Sequence, residues 1–123
     1  MKSLLSFLTI AMLSASTFAA DGPIRHVVHF KFKKDATPAQ IKAVVDGFSA
    51  LNGKIDVVES IEWGTNNSPE GLDKGFTHCW VVTFKDSKAR DAYIVHPAHK
   101  AFVADLIKPA LEEALVVDFV VQK

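Results

Sequence analysis

Six side chains in this sequence can move protons or orient a polar ligand near neutral pH. They are the five histidines, His26, His29, His78, His96 and His99, and the single tyrosine, Tyr93. An imidazole titrates near neutrality and so can take a proton there. A phenol stays protonated and can hydrogen-bond an oxygen that is gaining charge. Together they suit removal of a proton from carbon beside a carbonyl. Three of the six crowd into Tyr93-Ile94-Val95-His96-Pro97-Ala98-His99. Pro97 stands between Tyr93 and His99, so the two do not share one continuous helical face, and only a helix break can bring them together. Each also has a structural reading. Tyr93 fits a core aromatic with its hydroxyl satisfied. His99 fits a helix-head residue whose ring bonds a backbone group and locks the His-Pro turn, and this plainer reading is preferred. His96 reads as a turn residue.

The elements that must position these residues follow from periodicity. Ile24 to Phe32 reads as a strand. Ile24, His26, Val28, Phe30 and Phe32 share one face, and Arg25, Val27, His29 and Lys31 the other. Thr37-Pro38-Ala39-Gln40 fits a capping box with proline in the first helical turn. Ile41, Val44, Val45, Phe48 and Leu51 then form an apolar helical stripe, and Asn52-Gly53 is expected to end it. Asp56 to Trp63 reads as a second strand, with Val57, Ile61 and Trp63 on one face. Gly64 to Gly75 is a polar loop. Thr77 to Lys85 is a third strand, with His78, Trp80, Val82 and Phe84 on one face and Cys79 and Val81 on the other. Asp86 or Ser87 caps a short helix through Tyr93, which His96-Pro97 breaks. Ala98 to Ala114 is expected to continue as helix, with Phe102, Leu106, Ala110 and Leu111 inward and Pro109 kinking or restarting it. Leu115 to Val121 reads as the last strand.

The order is β-α-β-β-α-β, an α+β class with an antiparallel sheet and helices on one face. The last strand is apolar on both faces, and the third nearly so. A sheet with one wet face alternates more cleanly. The simplest cover for the open face is a second copy of the same sheet, so a homodimer is expected. His26 and His78 fall on the inward face among apolar neighbours, where a histidine is more often a satisfied core residue than a ligand. The starts of the first and third strands lie toward opposite ends of an antiparallel sheet, and no carboxylate has metal-site spacing beside them. No metal and no cofactor is expected. Trp80 shares the face of His78. Its indole either fills the space a pocket would need or floors a shallow aromatic site, and filling is the plainer outcome.

The first residues read as a targeting segment. Lys2, the apolar run Leu4 to Leu13 and small residues up to Ala19 fit a secretory signal over 1–19, with the mature domain over 20–123. A secreted or periplasmic destination follows, with no membrane association after cleavage. Basic and acidic residues balance at 14 each. Loss of the leader removes only Lys2, so nothing suggests nucleic-acid binding, which needs clustered positive charge. Cys79 is the single cysteine, so no internal disulfide forms despite an oxidising compartment. It reads as a small buried hydrophobe.

Several segments together resemble one family, the stress-responsive α/β-barrel (Dabb) domain of the dimeric α+β barrel superfamily. They are Arg25-His26-Val27-Val28-His29-Phe30-Lys31-Phe32, Trp63-Gly64, Gly75-Phe76-Thr77-His78 with Thr83-Phe84, Asp91 to His99, Phe102, and Asp118-Phe119. The Tyr-x-x-His-Pro-x-His segment is the most specific of these. The resemblance implies a ferredoxin-like monomer and a sheet-to-sheet dimer. It also implies a range of functions. Some plant members are oligomeric structural proteins. Others are polyketide cyclases, in which a Tyr–His pair at the positions of Tyr93 and His99 promotes an aldol-type closure in a pocket between sheet and helices. Histidines at the positions of His26 and His78 line that pocket. Haem- and quinone-type monooxygenases share the barrel, but no pattern for them stands out here. Export fits poorly with intracellular polyketide chemistry. The reading placed first is therefore a non-catalytic homodimer that is structural or binds a small apolar or aromatic ligand near His26, His78 and Trp80. The alternative is a cyclase or isomerase using Tyr93 and His99.

Overall fold

The computed structural model describes residues 22–123, so the leader expected over residues 1–19 lies outside the described residues. The chain runs β1 (Ile24–Phe32), α1 (Pro38–Lys54), β2 (Ser60–Thr65), β3 (His78–Phe84), α2 (Ser87–Ile94), α3 (Pro97–Phe102), a π-helical turn (Val103–Ile107), α4 (Lys108–Ala110) and β4 (Leu111–Val120). The four strands form one antiparallel sheet in the order β2-β3-β1-β4. This is the expected βαββαβ arrangement, a ferredoxin-like α+β fold.

Local chemistry explains most of the boundaries. Thr37 Oγ1 accepts from the Gln40 N–H, and Gln40 Oε1 accepts from the Thr37 N–H, which completes the capping box. Asp86 caps α2 by accepting from the Ala89 N–H. Pro97 opens α3 after the break at His96.

Three boundaries differ from the sequence reading. Helix α1 passes through Asn52-Gly53 to Lys54, because the apolar Ile55, 1 % exposed, draws the chain into the core and sets the stop. Strand β2 begins at Ser60 rather than Asp56. Val58 N–H closes a turn onto Ile55 O, and the backbone pairs with β3 only from Glu59 onward. Helix ends at Ala110 rather than Ala114. Ala110 O accepts from the Lys33 N–H, and Leu111 already pairs with Phe32, so residues 111–114 belong to β4.

The core lies between the sheet and its helices. Ile24, Val28 and Phe30 of β1 and Trp80, Val82 and Phe84 of β3 meet Val44, Phe48 and Leu51 of α1 and Phe102 of α3. Phe48 stacks on Trp80 with centroids 4.7 Å apart and planes 6° apart. Gly47 gives the close approach of α1 to the last helical segment: a Cβ there would meet Leu106 at 2.7 Å and Phe102 at 3.2 Å. Among the described residues no helix covers the opposite face of the sheet. There Leu115, Val117 and Phe119 of β4 are about half exposed.

Candidate functional site

The helix break does what the spacing of Tyr93 and His99 demands. The chain turns at Val95 and His96, and His96 Nδ1 accepts from the Ala98 N–H at 3.0 Å to cap α3. Helix α3 then returns toward α2 and sets the His99 ring 4.6 Å from the Tyr93 ring, at an angle of 55°. His99 Nδ1 lies 3.0 Å from Ile94 O. A carbonyl oxygen only accepts, so Nδ1 carries the hydrogen and Nε2 of the neutral ring keeps its lone pair. The ring therefore locks the turn between α2 and α3. The same bond fixes the tautomer that a base needs.

Both rings line a cavity of about 320 Å3 between sheet and helices. Its other walls are apolar: Val28 and Phe30 of β1, Phe48 of α1, Phe102, Val103 and Ile107, with Ala114 and Val116 along the edge of β4. Burial pushes the Tyr93 phenol well above its ordinary range, so it stays a hydrogen-bond donor. Burial also pushes His99 down; its bond to Ile94 O opposes this, and the nearby His26 adds to it. The imidazole is thus held neutral and ready to accept a proton.

His26 enters the same cavity from β1, with its ring centroid 5.8 Å from that of Tyr93. Its Nδ1 is 2.7 Å from Asp118 Oδ1 on the neighbouring strand, and Asp118 Oδ2 accepts from Arg90 Nη1 at 2.8 Å. Asp118 lies directly opposite His26 in the β1–β4 register. A carboxylate accepts, so Nδ1 of His26 carries the hydrogen and the bond fixes the orientation of the ring. The sequence matches Asp118-Phe119 to the family but gives neither Asp118 nor Arg90 a place in the site. The signal available was Asp118 as the single acid in the apolar run Leu115 to Val121.

His78 and Trp80 lie elsewhere. The register sets His78 opposite Phe30 and His26 opposite Val82, so the two histidines occupy opposite ends of one face. His78 lies parallel to Trp63, with centroids 6.2 Å apart, and its Nδ1 is 2.8 Å from Thr77 Oγ1. Trp80 is fully buried between Phe48, Phe30 and Trp63. It fills the centre of the layer, as the sequence suggested. The cavity persists beside it, however, because Phe30 and Phe48 separate the indole from the Tyr93 end. Cys79 is half-buried on the open sheet face beside His29, and burial raises its thiol. Among the described residues no three metal-ligating side chains converge.

Comparison with known proteins agrees with this architecture. The model of the stress-responsive A/B barrel domain matches residues 24–121, and the chain belongs to that family. It is 35 % identical over 100 residues to a stress-response A/B barrel domain-containing protein of Arabidopsis thaliana, covering 81 % of this chain and 91 % of the relative. It is 29 % identical over 100 residues to olivetolic acid cyclase of Cannabis sativa, covering 81 % of this chain and 98 % of the cyclase. Among solved structures, a dimeric ferredoxin-like protein from Thermobifida fusca superposes with a TM-score of 0.68 at 27 % identity, covering 82 % of this chain and 92 % of that one.

Proposed function

We propose that this protein takes a small, largely apolar carbonyl compound into the sheet–helix cavity and moves a proton on it, with His99 as base and Tyr93 as donor to the carbonyl oxygen. One observation carries this reading. The two rings stand 4.6 Å apart on the cavity wall, and the His99 tautomer is fixed by Ile94 O. Nε2 takes a proton from carbon next to the carbonyl. The electron pair moves onto the oxygen, which the Tyr93 hydroxyl stabilises. The enolate is then reprotonated at another position or attacks a second carbonyl to close a ring. His26, oriented by Asp118, is placed to hold a further oxygen of the ligand. The kinship with a cyclase supports the ring-closing version.

The test is deuterium uptake at the carbon beside the carbonyl of propiophenone in heavy water, followed by proton NMR. The wild-type protein should exceed buffer. His99→Ala and Tyr93→Phe should each lose about 10²–10⁴-fold of the excess while keeping the native circular dichroism spectrum. A second reading, a binding module without chemistry, is favoured by the full burial of Trp80 in the middle of the layer. Ketone binding with no exchange above buffer, or exchange untouched by His99→Ala, would establish it instead.

The proposal includes a homodimer through the open sheet face. Leu115, Val117 and Phe119 expose 45 %, 51 % and 50 % of their surface there. Arg25 Nη1 and His29 Nδ1, on the same face, are buried without a hydrogen-bond partner among the described residues. A facing sheet would cover the first group and can supply acceptors or donors to the second. The dimeric state described for the Thermobifida fusca protein supports this. Sedimentation should give a dimer for the wild-type chain and a monomer for Val117→Arg, which would bring two like charges into the interface. A wild-type monomer would remove the barrel. The same proposal has residues 1–19 direct export, so that the mature chain works in a secreted or periplasmic setting.

A further inference from the structure

His99 borders a second space on its other side. A second cleft of about 300 Å3 lies against the outer surface, and Ile94, His99 and Val103 line both it and the inner cavity. The rest of its lining is Lys100, Ala104 and Lys108. Both lysines are exposed, and neither joins an ion pair among the described residues. Among the described residues no carboxylate lines either space. In a chain with 14 basic and 14 acidic residues, this is a local concentration of one sign across a shared wall from an apolar cavity.

The helix is built so that the two lysines fall on one face. Residues eight apart on an unbroken α-helix are about 80° out of phase. Here the π-helical turn Val103–Ile107 intervenes, and Lys108 N–H donates to Val103 O, five residues back. A π turn holds about one extra residue, which takes out roughly 100° and brings the two positions within about 20° of one face. Lys100, Ala104 and Lys108 thus form one row along the cleft, while Phe102, Val103 and Ile107 face the inner cavity. Ala104, the small residue of the row, leaves the floor open between the two ammonium groups.

We propose that this outer cleft is a carboxylate subsite, and that the ligand is an apolar carbonyl compound bearing a carboxylate. Its body occupies the inner cavity, with the carbonyl at Tyr93 and His99, and its carboxylate reaches Lys100 and Lys108 past His99. The placing of the carbonyl rests on the proton-transfer reading above. The preference for an anion does not.

Two matched probes separate the charge from the body: 6-acetyl-2-naphthoate and the neutral 2-acetylnaphthalene, titrated against the full mature chain by calorimetry. The wild-type protein should bind the acid roughly fivefold more tightly than the ketone, with the advantage shrinking as salt is added. Lys100→Gln with Lys108→Gln should erase that advantage and leave 2-acetylnaphthalene unchanged, while the double arginine variant keeps it. Ala114→Phe, which narrows the inner cavity from the exposed edge strand, should weaken both probes. Equal binding of the two probes to the wild-type protein would overturn the subsite, as would an advantage that survives the double glutamine variant. Probe binding indifferent to Ala114→Phe would place the ligand elsewhere and overturn it too. Charge selectivity without deuterium exchange on propiophenone would keep the subsite and reject the proton transfer. Exchange with no charge selectivity would do the reverse.

Discussion

At one end of the helix-covered sheet face, His26 bonds Asp118 and sits 5.8 Å from Tyr93, beside a cavity. At the other end, His78 is stacked on Trp63 and Trp80, with centroids 6.2 and 5.9 Å away, and Phe32 meets it edge-on at 5.0 Å. Both residues are inward histidines on strands of one sheet. What separates them is what their neighbours offer. Around His26 and His99 the partners are directional: a carboxylate on one ring, a backbone carbonyl on the other, each of which fixes a tautomer. Around His78 the partners are mainly aromatic faces, with Thr77 Oγ1 2.8 Å from its Nδ1, and the ring lines a separate open cleft of about 630 Å3 with Trp63, Leu72 and Phe76 rather than the sheet–helix cavity. A histidine of the first kind is held on the wall of the sheet–helix cavity by a bond that fixes its ring. One of the second kind packs against aromatic faces outside that cavity.

The largest effect expected from breaking this contrast is on stability at the packed end. Trp80 is fully buried against Phe30 and Phe48, so Trp80→Ala should cost about 3–5 kcal/mol in urea unfolding. Trp80→Phe sharpens the test. The indole Nε1 is buried without a partner among the described residues, and phenylalanine removes that unsatisfied donor. It should therefore cost clearly less than alanine while leaving exchange activity intact. Loss of activity in a well-folded Trp80→Phe would show that the two ends are not separate.

At the open end the corresponding substitution is Asp118→Ala. It removes the acceptor shared by His26 and Arg90, both bonds being 2.7–2.8 Å and partly buried. Charge-assisted bonds of this kind are worth about 1.5–3 kcal/mol, and a loss in that range is expected. The fall in ligand affinity should exceed that of His78→Leu, because only Asp118 orients a cavity-lining ring. Equal affinities in the two variants would erase the distinction drawn here.

The fold was largely legible because its signals are local. The alternation in β1 and β3, the capping box at Thr37 and the His96-Pro97 break each act within a few residues, and each appears where expected. Boundaries failed where a distant contact decides them. Gly53 carries a stop signal, yet helix continues until Ile55 finds the core. Leu111 to Ala114 suit a helix but pair with β1. The site was half legible for the same reason. Tyr93 and His99 are close in sequence, so their pairing needed only the proline break. Asp118 and Arg90 meet His26 through strand register, which aligns residues far apart in the chain. The cavity beside Trp80 was not legible in the periodicity, since it depends on how Phe30 and Phe48 divide the volume; only the family resemblance implied a pocket between sheet and helices.

The smallest effect expected is in the acid dependence of stability, where both kinds of histidine act alike. Burial lowers His78 and His99 below the ordinary 6.5, so the unfolded chain takes up protons before the folded one does. The stability these neutral rings contribute is full above 6.5 and declines as pH falls below it toward the lowered folded values. Urea midpoints measured at about pH 7.5 and 5.5 should show the decline, and replacing either histidine with a neutral residue should flatten part of it. Activity should split the pair. His78→Leu, a swap within a packed aromatic layer, should cost under about 1.5 kcal/mol at neutral pH and leave the pH profile of exchange where it was. That profile should retain its acid limb below 6.5, because the base form of His99 persists there. A limb that moves in His78→Leu would mean that charge at the packed end reaches the cavity through Trp80, and the boundary between the two ends would then have to be redrawn around the indole.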